Sequence, residues 1–233
     1  MKRCLFGMAV SALLLAAAPG LRAQDTLEAT LSADVVSHYV WRGMDYAHAS
    51  VQPSLELSWK GFSVSAWGSA PLVRTTDLHE LDLSACYSIG GLTLGVMDYW
   101  CDSPDPRYFC YVPEETGHVW EAFVKYDFGF LNVSWQTNFA GNDFTEAGRR
   151  AYSSYFELGV PFQLGGLDWE AVAGVVPFAT DYYGTPGFAV TNVGVKATRE
   201  IRFSDRFSLP VFGQLVANPY ARHLYFVFGL TLR

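Results

Sequence analysis

The chain has 233 residues, of which half are hydrophobic, 17% are charged and 16% are aromatic, and its net charge at pH 7 is −7. An acidic chain lacks the basic surface that neutralises phosphates, which argues against nucleic acid as a partner. No stretch beyond the first 23 residues is apolar over the roughly 18 residues that a membrane helix needs. A membrane-compatible composition without such helices indicates a β-barrel, the other spanning structure that satisfies its own backbone hydrogen bonds.

The first 23 residues have the pattern of a secretory signal peptide. Lys2 and Arg3 supply a positive start, residues 8–18 form a short apolar run, and Ala23 ends a segment suited to cleavage. We expect this segment to be removed, leaving residues 24–233 as a single barrel domain; the alternative is a retained anchor. Removal takes away three positive charges and no acidic residue, so the net charge of the mature chain changes from −7 to −10.

Apolar and polar residues then alternate along most of the chain, which is the period of a strand with one apolar face. Leu81, Leu83 and Ala85, for example, alternate with Asp82 and Ser84. The alternation predicts twelve antiparallel strands, at residues 29–42, 50–60, 62–71, 79–89, 92–101, 118–128, 131–140, 151–163, 167–178, 189–202, 207–217 and 223–233.

The predicted connections alternate between short and long. Five short turns carry the Gly or Ser-Asp residues that tight hairpins favour, near positions 61, 91, 129, 166 and 204. The longer loops lie at 43–49, 72–78, 102–117, 141–150, 179–188 and 218–222. This alternation is typical of an all-β, transmembrane, up-and-down barrel of the outer membrane. The alternative is a soluble periplasmic β-sandwich or lipocalin-like barrel, whose apolar face would point inward.

Aromatic residues of the apolar face fall into two groups near the strand ends. Close to the short turns are Trp59, Phe62, Tyr126, Phe128, Phe162 and Trp169, and at the opposite ends are Tyr39, Trp41, Trp120 and Phe139. Two aromatic belts around an aliphatic band are expected where a barrel meets the two membrane interfaces.

Three cysteines follow the predicted signal peptide, at positions 86, 101 and 110. Cys101 and Cys110 bracket a turn-rich segment and could close it with a disulfide in an oxidising compartment. The alternative is that no bridge forms, because spacing alone does not establish one.

Several segments resemble the TorF-type porin family of Gram-negative bacteria. The most specific is SHYVWRGM at 37–44, which is followed by Pro53, Gly61-Phe62 and AWGS at 66–69. Further similar stretches lie at 80–83, 95–100, 120–123 and 153–159. The resemblance implies an outer-membrane barrel with channel activity and does not identify a substrate. One departure is the end of the chain at Arg233, where outer-membrane barrels usually finish on an aromatic residue.

If the apolar face meets lipid, the polar face lines a lumen. The predicted pore-lining residues are Asp34, His38, Arg42, Glu56, Glu80, Asp82, Glu121, Lys125, Gln136, Glu157 and Lys196. Six of these are carboxylates and three are Arg or Lys, an excess that favours cations or neutral solutes. Alternatively, the charges pair and fill a closed interior. The loop at 102–117 could fold inward and constrict the pore. Asp34, His38 and Arg42 share one face of the first predicted strand, where they form either a selectivity cluster or a brace held by salt bridges.

The expected function is an outer-membrane channel for passive diffusion of small hydrophilic solutes, mildly cation-preferring. Its expected partners are the lipid bilayer, the outer-membrane insertion machinery and the solutes. No cofactor, metal or catalytic residue is expected, since the sequence lacks a Gly-x-Ser-x-Gly elbow and a zinc-binding histidine pair. The alternative is a closed barrel that anchors or binds partners at the cell surface through aromatic loop residues, namely Tyr108, Phe109, Tyr111, Tyr182 and Tyr183.

Overall fold

The structure is a computed structural model and describes residues 26–74, 76–205 and 207–233. The predicted signal peptide, residues 1–23, lies outside the described residues. The strands are β1 (Glu28–Val36), β2 (Tyr39–Trp41), β3 (Met44–Ala47), β4 (Ser50–Trp59), β5 (Phe62–Pro71), β6 (Glu80–Ile89), β7 (Leu92–Cys101), β8 (His118–Asp127), β9 (Asn132–Gly141), β10 (Ser154–Leu164), β11 (Leu167–Val176), β12 (Ala189–Ser204), β13 (Phe207–Asn218) and β14 (His223–Leu232). Across these described ranges there is no helix, and so none with the length and apolarity to cross a membrane.

Twelve of the strands form one closed antiparallel barrel. The ring runs from β1 through β4 to β14 in sequence order and returns to β1. The two remaining strands, β2 and β3, pair only with each other and form a separate hairpin. The prediction of an all-β, up-and-down antiparallel barrel of about twelve strands is confirmed.

Tight turns join the strands at one rim of the barrel, and the longer loops lie at the other. The turn between β4 and β5 shows why these sequences reverse the chain: Lys60 and Gly61 have φ of 49° and 87°. Two successive left-handed residues make a type I′ turn, whose twist matches that of the flanking strands. Gly165 and Gly166 do the same between β10 and β11, with φ of 63° and 73°.

The outer surface of the barrel is apolar. Leu31 is 70% exposed, Phe62 60% and Leu94 50%, whereas inward-facing Glu56 and Gln136 are 3% and 6% exposed. A polar interior inside an apolar exterior is the inverse of a soluble sandwich or lipocalin-like barrel, and it is typical of outer-membrane proteins. The aromatic residues predicted near the short turns lie on this outer face: Trp59, Phe62, Tyr126, Phe128 and Phe162 are exposed, and Trp169 stacks on Phe162.

The first strand is shorter than predicted. β1 ends at Val36, whereas the alternating pattern predicted a strand running on to position 42. β1 and β14 pair over four residues each, Ala33–Val36 with Gly229–Leu232. The contact ends at Ser37, whose backbone N–H donates to Phe228 O (2.8 Å) and whose Oγ accepts from the Phe228 N–H (2.9 Å). Beyond this point the chain leaves the barrel wall and enters the lumen.

Candidate functional site

The hairpin of β2 and β3 crosses the lumen. It leaves the wall between β1 and β4, yet the Arg42 side chain at its tip contacts Glu121 of β8 and Tyr155 of β10. In the ring of twelve strands, β8 and β10 flank β9, the strand diametrically opposite β1. The hairpin together with the Arg42 side chain therefore reaches across the lumen near the rim that carries the long loops.

The hairpin turns at Arg42 and Gly43, whose φ angles are 50° and 80°. This is again the type I′ geometry, which a non-glycine residue such as Arg42 adopts at a cost. Gly43 is also enclosed: a Cβ there would lie 1.8 Å from the backbone oxygen of Thr191. Asn218 Nδ2 donates to Gly43 O at 3.1 Å. The tip is thus fixed against β12 and β13 by its backbone, which leaves the Arg42 side chain to reach β8 and β10.

Arg42 forms a bidentate ion pair with Glu121. Arg42 Nη1 lies 2.6 Å from Glu121 Oε2, and Nη2 lies 2.9 Å from Oε1. The side chains are 8% and 2% exposed, so the pair is nearly dry. Tyr99 Oη donates to Glu121 Oε1 at 2.9 Å, and Arg42 Nη1 also donates to Tyr183 Oη. A buried ion pair is stable only when further hydrogen bonds offset its desolvation, and the two tyrosines supply them.

Aromatic rings enclose the guanidinium group. Arg42 Cζ lies 4.2 Å from the ring centroid of Trp41 and 4.6 Å from that of Tyr155. Tyr183 stacks between these two rings, with centroids 6.3 Å from Trp41 and 5.9 Å from Tyr155. Cation–π contact is strongest where the cation is desolvated. We define Tyr99, Glu121, Tyr155 and Tyr183 as the guanidinium cage, which Arg42 fills in this structure.

Nine of the eleven residues predicted to line a pore lie on wall strands of the barrel, and that they line an open pore stays a prediction. The inward-facing positions of the wall strands include Asp34, Glu56, Glu80, Asp82, Glu121, Lys125, Gln136, Glu157 and Lys196. Glu121 contacts Arg42 at the hairpin tip directly. Lys196 Nζ lies 3.8 Å from the centroid of the Phe212 ring, and Glu157 Oε2 accepts hydrogen bonds from Tyr155 Oη (2.7 Å) and Asn192 Nδ2 (3.1 Å).

The cluster predicted on the first strand is not formed. Asp34 remains on β1, but His38 and Arg42 follow the point where the chain leaves the wall. His38 lies beside His48, with ring centroids 5.1 Å apart, and Arg42 binds Glu121. The prediction failed because alternation continues through the hairpin, and a period of two does not reveal that the strand has turned inward.

Two of the aromatic assignments were wrong. Tyr39 and Trp41, predicted to meet the membrane interface, point into the lumen: Tyr39 packs on Trp67 at 5.3 Å and Trp41 on Tyr99 at 5.4 Å. Phe139, of the same predicted belt, is exposed on the outer face as expected.

Of the loop aromatics predicted to serve recognition at the surface, some pack inside the barrel and others are exposed. Tyr182 and Tyr183, predicted to be exposed for recognition, pack on Trp41 inside the barrel, and Tyr183 is 7% exposed. Phe109 and Tyr111 remain exposed, at 84% and 57%. In the sequence, the signal for aromatic side chains inside the barrel was that Tyr99 and Tyr155 occupy inward-facing positions in the alternating pattern of their strands.

The loop at 102–117 does not constrict the lumen. It packs over the outer side of the wall, where Tyr108 contacts the rings of Trp100 and His118 at 5.3 and 5.0 Å. His118, 1% exposed, faces outward because the neighbouring Val119 belongs to the inner cluster. Its Nδ1 is 2.8 Å from Asp98 Oδ1, and its Nε2 donates to Tyr108 O at 2.6 Å. The constriction is formed instead by the hairpin and by the loop between β11 and β12.

The predicted disulfide is not present, since Cys101 and Cys110 are both free thiols. Cys101 belongs to the inward-facing set of β7, together with Tyr99. Cys110 lies in the loop that covers the outer side of the wall, where its carbonyl accepts a hydrogen bond from Thr116 Oγ1. The two side chains are therefore held on opposite sides of the wall, which the spacing in the sequence did not indicate.

Compared with known proteins, the chain is similar to solved porins. A mutant of the Rhodopseudomonas blastica porin matches it at 13% identity, over 88% of this chain and 73% of the porin, with a TM-score of 0.40. A further solved porin matches at 17% identity, over 80% of this chain and 62% of the other, with a TM-score of 0.37. Neither protein-family models nor curated proteins gave a match. The assignment of a closed antiparallel barrel therefore rests on the strand pairing of the chain itself.

Proposed function

We propose that this chain is an outer-membrane channel through which small hydrophilic solutes, preferentially cations, diffuse passively. The observation that carries the proposal is the inverted polarity of the barrel, with exposed apolar side chains outside and buried charged ones inside. An apolar cylinder of this kind is stable when lipid surrounds it, and a charged interior suits aqueous solutes. The resemblance to TorF-type porins supports the same assignment. The proposed partners are the outer-membrane bilayer and the machinery that inserts barrels into it.

The cation preference follows from the charges that line the lumen. Glu56, Glu80, Asp82 and Glu121 lie on β4, β6 and β8, which are alternate strands on one side of the ring. A low-dielectric wall focuses the field of such groups and raises the local concentration of the opposite charge. The basic residues Lys125 and Lys196 offset this field only in part, because the carboxylates outnumber the basic groups.

The proposed channel is closed in this conformation. At the level of the hairpin the lumen is crossed by a side-chain bridge whose ion pair is 8% and 2% exposed. Passage of a hydrated solute therefore requires the Arg42–Glu121 contact to break and the hairpin of β2 and β3 to move. We propose that the hairpin is the gate and that this contact is its latch.

The same occlusion favours one alternative, a permanently closed barrel that serves as a surface anchor or binding platform. The loop at 102–117 would then provide the contacts, since Phe109 and Tyr111 at its centre are exposed and exposed tyrosines suit recognition. The two candidates differ in a measurable way, because only the channel conducts once the latch is broken.

Conductance of the refolded protein in planar bilayers under a salt gradient tests the proposal. We expect brief, rare openings from the wild type, frequent openings from Arg42→Ala, and a reversal potential that indicates cation preference. Glu80→Gln should weaken that preference, whereas Glu114→Gln, which removes the same charge from an exposed loop position, should not. Correctly folded wild-type and Arg42→Ala barrels that both stay silent would reject the channel and favour the platform.

A further inference from the structure

All four residues of the guanidinium cage lie outside the hairpin. Tyr99, Glu121 and Tyr155 stand on the wall strands β7, β8 and β10, and Tyr183 comes from the loop that follows β11. Of the rings that contact the Arg42 guanidinium, only Trp41 moves with the gate. Departure of the hairpin would therefore leave an acidic, aromatic pocket on the wall.

Three of the four cage residues, Tyr99, Glu121 and Tyr155, make hydrogen bonds that do not involve Arg42. Tyr99 Oη donates to Glu121 Oε1 at 2.9 Å, which fixes the carboxylate. Tyr155 Oη donates to Glu157 Oε2 at 2.7 Å and accepts from Asn192 Nδ2 at 3.2 Å. Tyr155 is 0% exposed, so its ring cannot swing freely. The pocket is thus pre-organised, which lowers the cost of binding a replacement for Arg42.

The geometry of the cage selects a planar cation. Glu121 receives two parallel N–H donors, at 2.6 and 2.9 Å, an arrangement that a guanidinium matches and a single ammonium does not. The Tyr155 ring, which stays on the wall when the hairpin leaves, lies 4.6 Å from the central carbon of the guanidinium, a distance that suits a flat, weakly hydrated group. An ammonium would also lose more of its hydration on entering such a dry site.

We propose that the cage is a binding site for small solutes that carry a guanidinium group, and that Arg42 is the built-in competitor which such solutes displace. The proposal rests on the proposed channel function and adds the class of solute that opens the gate. Binding of a free guanidinium to Glu121 removes the partner of Arg42, so the hairpin is released. Because a tethered group competes at an effective concentration on the order of millimolar, solute concentrations in the millimolar range are required.

Conductance with two matched cations tests this inference. We expect methylguanidinium chloride at millimolar concentration to raise the open probability of the wild-type protein at least fivefold. Methylammonium chloride at the same ionic strength should have no such effect, and neither salt denatures proteins at this concentration. Arg42→Ala should open without added solute. Equal responses of the wild type to the two cations would overturn the proposal.

The matched control is Arg107→Ala. Arg107 lies in the loop at 102–117, where its side chain is 74% exposed and pairs with Asp105, which is not a cage residue. Loss of this arginine should leave both the closed state and the methylguanidinium response unchanged. Heat-modifiable migration in detergent gels shows that each variant has folded before conductance is measured.

Direct binding separates failure of this inference from failure of the channel itself. Calorimetric titration of the refolded Arg42→Ala barrel, whose cage is vacated, should detect methylguanidinium but not methylammonium, and Arg42→Ala combined with Glu121→Gln should abolish the binding. If Arg42→Ala conducts but binds neither cation, the guanidinium site is rejected and the channel stands. If it binds methylguanidinium but is silent in bilayers, the site stands and the channel is rejected.

Discussion

Gly174 leaves open the space that the Tyr155 hydroxyl occupies. A Cβ at position 174 would lie 1.8 Å from Tyr155 Oη and 2.4 Å from its Cζ. The two residues stand on adjacent strands, since Glu157 of β10 pairs with Gly174 of β11. The missing side chain at 174 therefore sets the position of the ring that lies 4.6 Å from the Arg42 guanidinium.

We predict that Gly174→Ala loosens the latch. The added methyl group displaces Tyr155, which breaks its hydrogen bond to Glu157 and its contact with Arg42. Overpacking of this kind costs about 1–3 kcal/mol of stability. The open probability in planar bilayers should rise several-fold, and urea titration in detergent should show the destabilisation.

Gly213→Ala is the control for this substitution. A Cβ at position 213 would meet the Phe228 ring at 3.9 Å, which is an ordinary van der Waals distance. Its stability should stay within about 0.5 kcal/mol of the wild type. A Gly174→Ala barrel that gates like the wild type would show that Tyr155 does not hold the latch.

A second prediction concerns the turn of the gate. Gly43→Ala should prevent the hairpin from docking, because the residue combines φ of 80° with a Cβ position 1.8 Å from Thr191 O. Trypsin should then cleave after Arg42, which is protected in the wild type by its burial. Mass spectrometry of the fragments provides the measurement.

Gly148→Ala isolates the steric part of this effect. Gly148 also has a positive φ, of 69°, but no atom lies within 4 Å of its Cβ position. Both alanines carry the left-handed backbone penalty of about 1–2 kcal/mol, and only the one at position 43 meets a backbone oxygen. If trypsin also cleaves after Arg42 in the Gly148→Ala protein, the release is caused by backbone strain in general and not by the clash at position 43.

The barrel wall could be predicted from the sequence because its signals are local. Alternation identifies which face of each strand is apolar, and turn residues such as Gly61 and Gly166 mark the tight reversals. Most strands therefore begin and end within three residues of the predicted positions; β6, for instance, runs from Glu80 to Ile89 against a prediction of 79–89.

The gate was missed because its sequence alternates like the wall. A signal was nevertheless available: Trp41-Arg42-Gly43-Met44 suits a two-residue type I′ hairpin, which the observed φ angles adopt. The partners of Arg42 had no local signal. Glu121 lies 79 residues away and Tyr183 lies 141 residues away, and only closure of the ring brings them together.

The orientation of the barrel in lipid gives a third prediction. Leu83 lies on the outer face of β6 and is 41% exposed. Leu83→Arg should destabilise the barrel in phospholipid bilayers, reducing its free energy of unfolding by about 2–4 kcal/mol, which is the cost of an arginine near the bilayer midplane. Val112→Arg, at a 52% exposed position in the loop at 102–117, should cost far less. Equal costs for the two variants would mean that lipid does not surround the outer face of β6.

The last prediction concerns pH and the loop that joins β5 to β6. The His48 backbone N–H donates to Asp77 Oδ2 at 2.8 Å, and this bond is the main reason why the Asp77 pKa is lowered. The His48 ring, with Nδ1 2.9 Å from the same oxygen, and the charge of Arg74 lower this pKa further. Because the folded state has the lower pKa, the contact is fully present above the unfolded value, near pH 4, and is lost as the pH falls through the folded value. Hydrogen exchange, corrected for intrinsic rates, should show protection of the His48 amide decreasing below pH 4.

Asp77→Asn tests whether the carboxylate charge is responsible. The asparagine side chain keeps an oxygen that can accept from the His48 N–H, but this side chain does not titrate. Protection of the His48 N–H in the variant should therefore be weaker than in the wild type at neutral pH and constant between pH 6 and 3. Wild-type protection that persists unchanged to pH 2 would contradict the assignment, because a protonated Asp77 is a poorer acceptor than its carboxylate. A decrease in the wild type alone would show that this one ionised group ties the base of the gate, at His48, to the neighbouring loop.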